Sequence, residues 1–389
     1  MNVNSVTFFL EDLTIWTHWF ISVLGFLPQP QHGLIPHLSL RAVERYLKQH
    51  PCGVSDVGFS VTNIERAYTQ AIHAGAEPIQ AITTRQLSTG TVKQAIVSGW
   101  GDLRHTLTEY CSDEMPEQNH PISFYLASPA WESVSVIDTG DALAETVALA
   151  LPIGEKPDLL GIDHVVLNVP DGEMLKAAAW YERAFGFRYQ QTFSIQTPRS
   201  GLHSVVMAHP DGNATLPINE PSSPNSQIQE FLGKNRGAGV QHIALSTQRI
   251  IQTVGRLREK GIAFLSVPDS YYEQLPKRSG FRPSVLQDYD WGAIAQQGIL
   301  ADWKTDVSDG LLFQIFTEPI FKEPTFFFEI IQRQSTICSS DIRPSDSALA
   351  DRRSAQPQQP KGFGEGNFQA LFEAIEREQM KRGSLPLNS

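Results

Sequence analysis

Two histidines occupy matching places in two similar stretches of the chain. Each is the third residue after a glycine that opens a β-branched, apolar run: His164 in GIDHVVLNV from Gly161, and His242 in GVQHIALST from Gly239. A carboxylate, Glu329, lies inside the apolar run TFFFEII that begins at Thr325. Two imidazoles and a carboxylate on neighbouring strands make a facial triad with open coordination positions. That arrangement suits non-haem Fe(II), which must take a chelating substrate and O₂ together. An unpaired carboxylate among phenylalanines is expensive to bury, and a metal would meet that need. Taken singly, each residue also reads as structure: a hydrogen-bonded core histidine, or a glutamate that is ion-paired or at a sheet edge.

The spacing around these residues supports the joint reading, because the chain repeats itself. A third stretch, GVSDVGFSV from Gly53, has the same form, and each of the three is followed by a helical pattern ending at a glycine: Gly75, Gly186 or Gly261. A diverged copy fits at the N-terminus, with strand VNSVTFF, helix LTIWTHWFISVLGF and Gly25. Further strands follow each glycine, so the unit reads as β-α-β-β-β, four times over. One unit is too small to cover both faces of its sheet, so the units should pair into two domains of α+β class. The expected division is 1–150 and 151–389, with the stretch 112–160 as linker and 335–359 as a flexible polar loop. At the position of the two histidines the second copy has Asp56, and the first has Ser5 or Val6; the strand matching that of Glu329 ends in Glu109. A metal site is therefore expected only in the second domain.

Composition narrows the function. Hydrophobic residues make up 41% and charged residues 19%, which supports sizeable cores, and the net charge is −11. Nucleic acid and membrane surfaces are unsuitable partners for such a chain. The apolar start lacks a basic leader and is interrupted by Glu11, Asp12 and His18, so neither a signal peptide nor a membrane span is expected. The 3 cysteines form no metal-type pair, in keeping with a reducing, cytoplasmic setting.

Eight segments in order (GIDHVVLNVP, LPINEP, SQIQEFL, GAGVQHIAL, YYEQL, LLFQIFTEP, FFFEIIQR and GFGEGNFQALFEAIEREQ) resemble the 4-hydroxyphenylpyruvate dioxygenase family of the vicinal oxygen chelate superfamily. The resemblance is strong from about 161 to 383 and weaker before it, where a WGDLRHTLTEY-like strand and the module layout agree. It implies Fe(II) held by His164, His242 and Glu329. It implies polar substrate contacts from Ser204, Asn219, Gln227, Gln241, Gln314 and Asn367, and an aromatic pocket from Phe316, Phe327, Phe363 and Phe368. By pattern alone each amide would serve equally as a satisfied core or surface residue, and each ring as core. The implied substrates are a 2-oxo acid, 4-hydroxyphenylpyruvate, and O₂. The implied products are homogentisate and CO₂, formed by decarboxylation, ring hydroxylation and side-chain migration, and a homo-oligomer is expected. Two departures bear on substrate preference: the long polar stretch 335–359, and Phe313 where the family usually has leucine. The rival readings are 4-hydroxymandelate synthase, extradiol ring cleavage, and a non-catalytic small-molecule binder on the same scaffold.

The chain closes with an expected helix over 367–382. Asn367 is its candidate N-cap, and Phe368, Leu371, Phe372 and Ile375 follow at i, i+3, i+4 and i+7. On the resemblance this helix is a lid that excludes water, with Gly362, Gly364 and Gly366 as a hinge. Truncation at Pro360 is expected to uncouple O₂ uptake from product formation. Retained iron with unchanged rate and coupling would reduce the helix to a structural cap.

Overall fold

The structure, a computed structural model, describes residues 1–28, 39–87, 90–111, 122–129, 145–151, 158–281, 289–303, 310–334, 362 and 364–383. The polar stretch 335–359 and Phe363 lie outside the described residues. The first sheet holds β1 (Asn2–Phe9), β2 (Leu27–Pro28), β3 (Gly53–Ser60), β4 (Pro78–Leu87), β5 (Gly90–Ser98), β6 (Arg104–Cys111), β7 (Ser123–Ser128) and β8 (Glu145–Ala150). Its spatial order is β2-β8-β7-β1-β3-β6-β5-β4. The second holds β9 (Gly161–Asn168), β10 (Arg188–Gln196), β11 (Gly201–Ala208), β12 (Thr215–Pro221), β13 (Gly239–Ser246), β14 (Leu300–Asp302), β15 (Leu311–Phe316) and β16 (Phe327–Gln334). Its order is β10-β11-β12-β9-β13-β16-β15-β14. Both are curled, mixed half-barrels of the vicinal oxygen chelate type, and the two orders superimpose strand for strand.

Helices form at each stretch read as helical in the repeat, and at others besides. α1 (Leu13–Trp19), α2 (Leu40–Gln49), α3 (Ile64–His73), α4 (Met174–Phe185), α5 (Gln227–Asn235) and α6 (Ile250–Glu259) each pack an apolar face inward. The side chains of Asp12, Asn63 and Ser226 accept backbone N–H groups at the starts of α1, α3 and α5. α4 stops where Gly186 turns left-handed at φ +78°, a conformation that side chains resist. No described helix is long and apolar enough to cross a membrane.

The repeat is present but the first copy is not continuous in sequence. Too little chain lies between Gly25 and Gly53 to complete its sheet, since α2 occupies much of it. β7 instead runs parallel to β1, from Ser5 opposite Ser123 to Phe9 opposite Ala127, and β8 pairs antiparallel to β7. Part of the stretch expected as linker therefore covers an edge that β1 would otherwise expose. The apolar run SFYLAS was its sequence signal.

The two sheets meet through a shared aromatic core. Phe8 of β1 lies 5.3 Å from Phe20, and 5.2 Å from Phe326 just ahead of β16. Phe8, Phe20 and Phe326 are almost wholly buried. Phe8→Ala is expected to destabilise the protein by about 3–5 kcal/mol, read from the midpoint of urea unfolding.

Candidate metal centre

The three strands at the middle of the second sheet bring the triad together. β13 pairs antiparallel with β9 and parallel with β16, and Ala244 is opposite His164 on one side and Glu329 on the other. His242 lies two residues before Ala244 and so shares its face. The ligand atoms of His164, His242 and Glu329 all lie within 4.8 Å of one another, and all three residues are buried.

Local irregularity aims the neighbours. Along β9 and β13, Ala244 faces His164 but Leu245 faces Ile162; Val240 faces Leu167 but His242 faces Val166. Asp163 and Gln241 are thus extra residues in the ladder, one directly before each histidine. Such a bulge lets consecutive side chains reach the same region, which an unbroken strand forbids. Asp163 Oδ1 accordingly lies 2.8 Å from His164 Nδ1, and Gln241 Oε1 lies 3.3 Å from His242 Nδ1. Arg333 grips the same carboxylate, with Nε 2.7 Å from Oδ2 and Nη2 2.8 Å from Oδ1. On the third ligand, Gln314 Nε2 donates to Glu329 Oε1 at 2.9 Å.

These partners set the charges. Burial alone would lower the His164 imidazole, but Glu329 and Asp163 outweigh it and raise it to about 9. Burial pushes His242 down against the pull of Glu329. Burial acts to raise Glu329, yet the facing histidines hold it at about 2. Asp163 stays far below the usual carboxylate range against its burial, because Arg333 and His164 both donate to it.

The donor set fits a metal such as Fe(II). Glu329 Oε2 is buried, has no hydrogen bond among the described residues, and lies 3.3 and 3.5 Å from the Nε2 atoms of His164 and His242. A buried polar atom without a partner calls for an explanation, and a cation between the three groups supplies one. With Nδ1 of His164 committed to Asp163, Nε2 is the nitrogen left to ligate.

Beside the triad is a partly open pocket lined by both histidines, Asn219, Gln227, Gln241, Phe368 and apolar side chains. Phe368 stacks on Phe193 with ring centroids 4.7 Å apart. Asn219 Nδ2 donates to Asn168 at 3.2 Å, while Ser204 Oγ and Gln227 Oε1 are buried without a hydrogen-bond partner among the described residues. Ser204 faces Asn219 across β11 and β12. Phe327 stacks on His242 at 4.7 Å and lines an adjoining cavity, whereas Phe316 lines a smaller one beneath the last helix. Gln314 and Asn367 are turned to each other, Asn367 Nδ2 donating to Gln314 Oε1 at 2.9 Å. Phe313 points to the other face, 5.2 Å from Tyr289, so this departure from the family pattern lies away from the cavity.

Two sequence expectations need correction. The last helix runs from Glu365 to Arg382, and Gly364, not Asn367, holds the N-cap position. Asn367 cannot cap because its side chain is engaged with Gln314 and Tyr271; the Asp302 carboxylate instead accepts the Gly366 amide at 3.0 Å. In the first sheet, Asn4 and Ser55 are the extra residues, which aligns Ser5, not Val6, with the ligand position. Asp56 is opposite Arg104 as His242 is opposite Phe327, so Thr106 takes the place of Glu329. Glu109 is three residues further on and accepts the Ile64 amide at the start of α3 at 2.6 Å. Asp56 accepts both the amide and the hydroxyl of Thr106. Sequence reasoning overlooked Asp163 and Arg333; their signals were an acid directly before one ligand and a base four residues after another, on the same strand face.

Residues 161–275 match the Glyoxalase/Bleomycin resistance protein/Dioxygenase superfamily. Over 348 residues the chain is 35% identical to the 4-hydroxyphenylpyruvate dioxygenase of Yarrowia lipolytica, covering 88% of this chain and 76% of that one. The chain belongs to the 4-hydroxyphenylpyruvate dioxygenase family. An uncharacterised Synechocystis protein is 32% identical over 91% of this chain and 86% of its own length. A solved mutant of 4-hydroxymandelate synthase from Streptomyces coelicolor superimposes with a TM-score of 0.70 at 25% identity, over 97% of this chain and 98% of that one. The protein is thus a vicinal oxygen chelate dioxygenase of the 4-hydroxyphenylpyruvate dioxygenase family, with a His-His-Glu site.

Two outcomes are expected. His164→Ala, His242→Ala or Glu329→Ala should each abolish metal retention, measured by elemental analysis, with the circular dichroism spectrum preserved; Asp56→Ala should retain the wild-type metal content. Between about pH 6.5 and 9 the imidazole of His164 carries a proton that a metal must displace, whereas His242, pushed down by burial, is neutral and Glu329 is ionised. Metal affinity should therefore rise about tenfold per pH unit between roughly pH 6.5 and 8.5, with about one proton released per metal. Calorimetry in buffers of different ionisation enthalpy checks this, and a pH-independent affinity would contradict it.

Proposed function

We propose that the protein converts 4-hydroxyphenylpyruvate and O₂ to homogentisate and CO₂ with Fe(II). The observation that carries this reading is the buried His164-His242-Glu329 set opening onto a cavity that combines aromatic walls with the amides of Asn219, Gln227 and Gln241. Iron(II) held by those three residues would supply chelation of the 2-oxo acid and activation of O₂.

The chain's own residues do the rest. Asp163 fixes the His164 tautomer, and Gln314 holds one oxygen of Glu329, so that both present a fixed donor atom to the space between the three ligands. Phe193, Phe368, Leu202 and Ile195 shape a slot for a planar ring. Ser204 Oγ and Gln227 Oε1 have no hydrogen-bond partner among the described residues, and a phenol hydroxyl matches that need. Phe368, Leu371 and Ile375 of the last helix form one wall of the cavity and keep water from it, which supports the lid role. A protein that only sequestered small molecules would have no use for the ligand triad.

Incubation with Fe(II), O₂ and 4-hydroxyphenylpyruvate is expected to give homogentisate with release of CO₂, identified by chromatography. Hydroxymandelate as the main product would assign the chain to 4-hydroxymandelate synthase activity, the reading favoured by the solved structure it superimposes on.

A further inference from the structure

Two hydrogen-bond chains leave the ligand set and end at the start of the last helix. In the first, His164 Nδ1 pairs with Asp163, Asp163 is gripped by the Arg333 fork, and Arg333 Nη1 donates to the Gly362 carbonyl at 2.5 Å. In the second, Glu329 Oε1 accepts from Gln314, and Gln314 Oε1 accepts from Asn367 Nδ2. The Tyr271 hydroxyl closes the second chain by donating to Asn367 Oδ1 at 2.6 Å. Gly364 lies between the two ends, and a Cβ there would collide with the Gln314 amide. Glu329, Gln314 and Asn367 are all buried, so water cannot replace a broken link of the second chain.

We propose that metal binding and docking of the helix Glu365–Arg382 are coupled through these two chains, with Arg333 and Asn367 as positioning residues. Arg333 and Asn367 each hold a side chain that orients a ligand: Asp163 for His164, and Gln314 for Glu329. A divalent cation fixes those ligands from the other side. Whatever docking of the helix contributes to metal affinity, metal must contribute in equal measure to docking, because coupling between two equilibria is reciprocal. The rival is a helix held only by its apolar face. Leu371 and Ala374 pack with Leu265, Leu300, Phe316 and Phe327, and Phe372 packs with Leu202 and Phe231. That packing alone would leave the helix indifferent to the metal.

The inference rests on the metal-site reading but not on which product is formed. It is tested on the full chain with Co(II), which is stable in air and reports ligand geometry in its visible spectrum. Hydrogen exchange of the amides from Gly366 to Phe372 should slow at least tenfold when Co(II) binds. Asn367→Ala and the near-isosteric Asn367→Asp, which lacks the amide donor, should remove most of that protection. They should also weaken Co(II) binding by about tenfold, the scale expected for partners that orient ligands. Arg333→Gln should weaken it similarly and shift the Co(II) bands. Bound Co(II) with unchanged helix exchange in the wild type would overturn the coupling while leaving the metal site standing. So would Asn367 variants whose helix exchanges faster at unchanged Co(II) affinity. Failure of Co(II) to bind at all would overturn both.

Discussion

Glu329 places the strictest demand on this structure. Its carboxylate is ionised and buried, and one of its oxygens has no hydrogen bond among the described residues. A buried charge in that state is tolerated only where opposite charge is held close and in fixed geometry. The rest of the second sheet meets that condition. Parallel pairing of β13 with β16 sets the height of Glu329 relative to His242, and antiparallel pairing of β9 sets His164 opposite the same alanine. A small residue at Ala244 leaves the space between them to the three ligands. Asp163 and Arg333 then cancel each other's charge while holding one imidazole, so the ligands are oriented without adding net charge to the site.

The same backbone appears in the first sheet without the same chemistry. Extra residues precede the corresponding positions there too, at Asn4 and Ser55, so the bulges belong to the repeated unit and not to the metal. What differs is the donor set: a hydroxyl from Ser5, a carboxylate from Asp56 and a hydroxyl from Thr106. Two neutral hydroxyls and a carboxylate already engaged with Thr106 make a poor match for a borderline divalent metal. The scaffold therefore supplies a geometry, and the side chains decide its use.

The ligand triad was legible in the sequence because it sits on the repeat: His164 and His242 fall at one offset from their opening glycines, and Glu329 interrupts an apolar strand. Helices α1, α3, α4 and α6 were legible for the same reason, as their 3.6-residue periodicity and terminal glycines are local signals; α2 and α5, which lie outside that pattern, were not read. Strands β7 and β8 were not, since their role is to finish a sheet begun more than a hundred residues earlier, and no local pattern carries that pairing. Asn367 is the sharpest example. Its position before an apolar face is that of an N-cap, but a buried amide facing Gln314 gains more from two side-chain hydrogen bonds than from one to the helix start. Tertiary partners overrode the local preference, as they did for the bulges at Asp163 and Gln241.

The charge balance of the site bears on how an anionic substrate could be chosen. No lysine or arginine is among the described residues lining the cavity of the triad, so the wall offers amides and rings but no cation for a carboxylate. Without a metal the cluster is neutral: protonated His164 offsets Glu329, and Arg333 offsets Asp163. A dication that displaces the proton from His164 leaves one net positive charge, confined to a buried, weakly polar space. A singly charged 2-oxo acid restores neutrality there, whereas a neutral ligand of the same shape does not. On the proposed reading, discrimination in favour of an acid thus comes from the ligand set itself, and the apolar wall is free to recognise the ring.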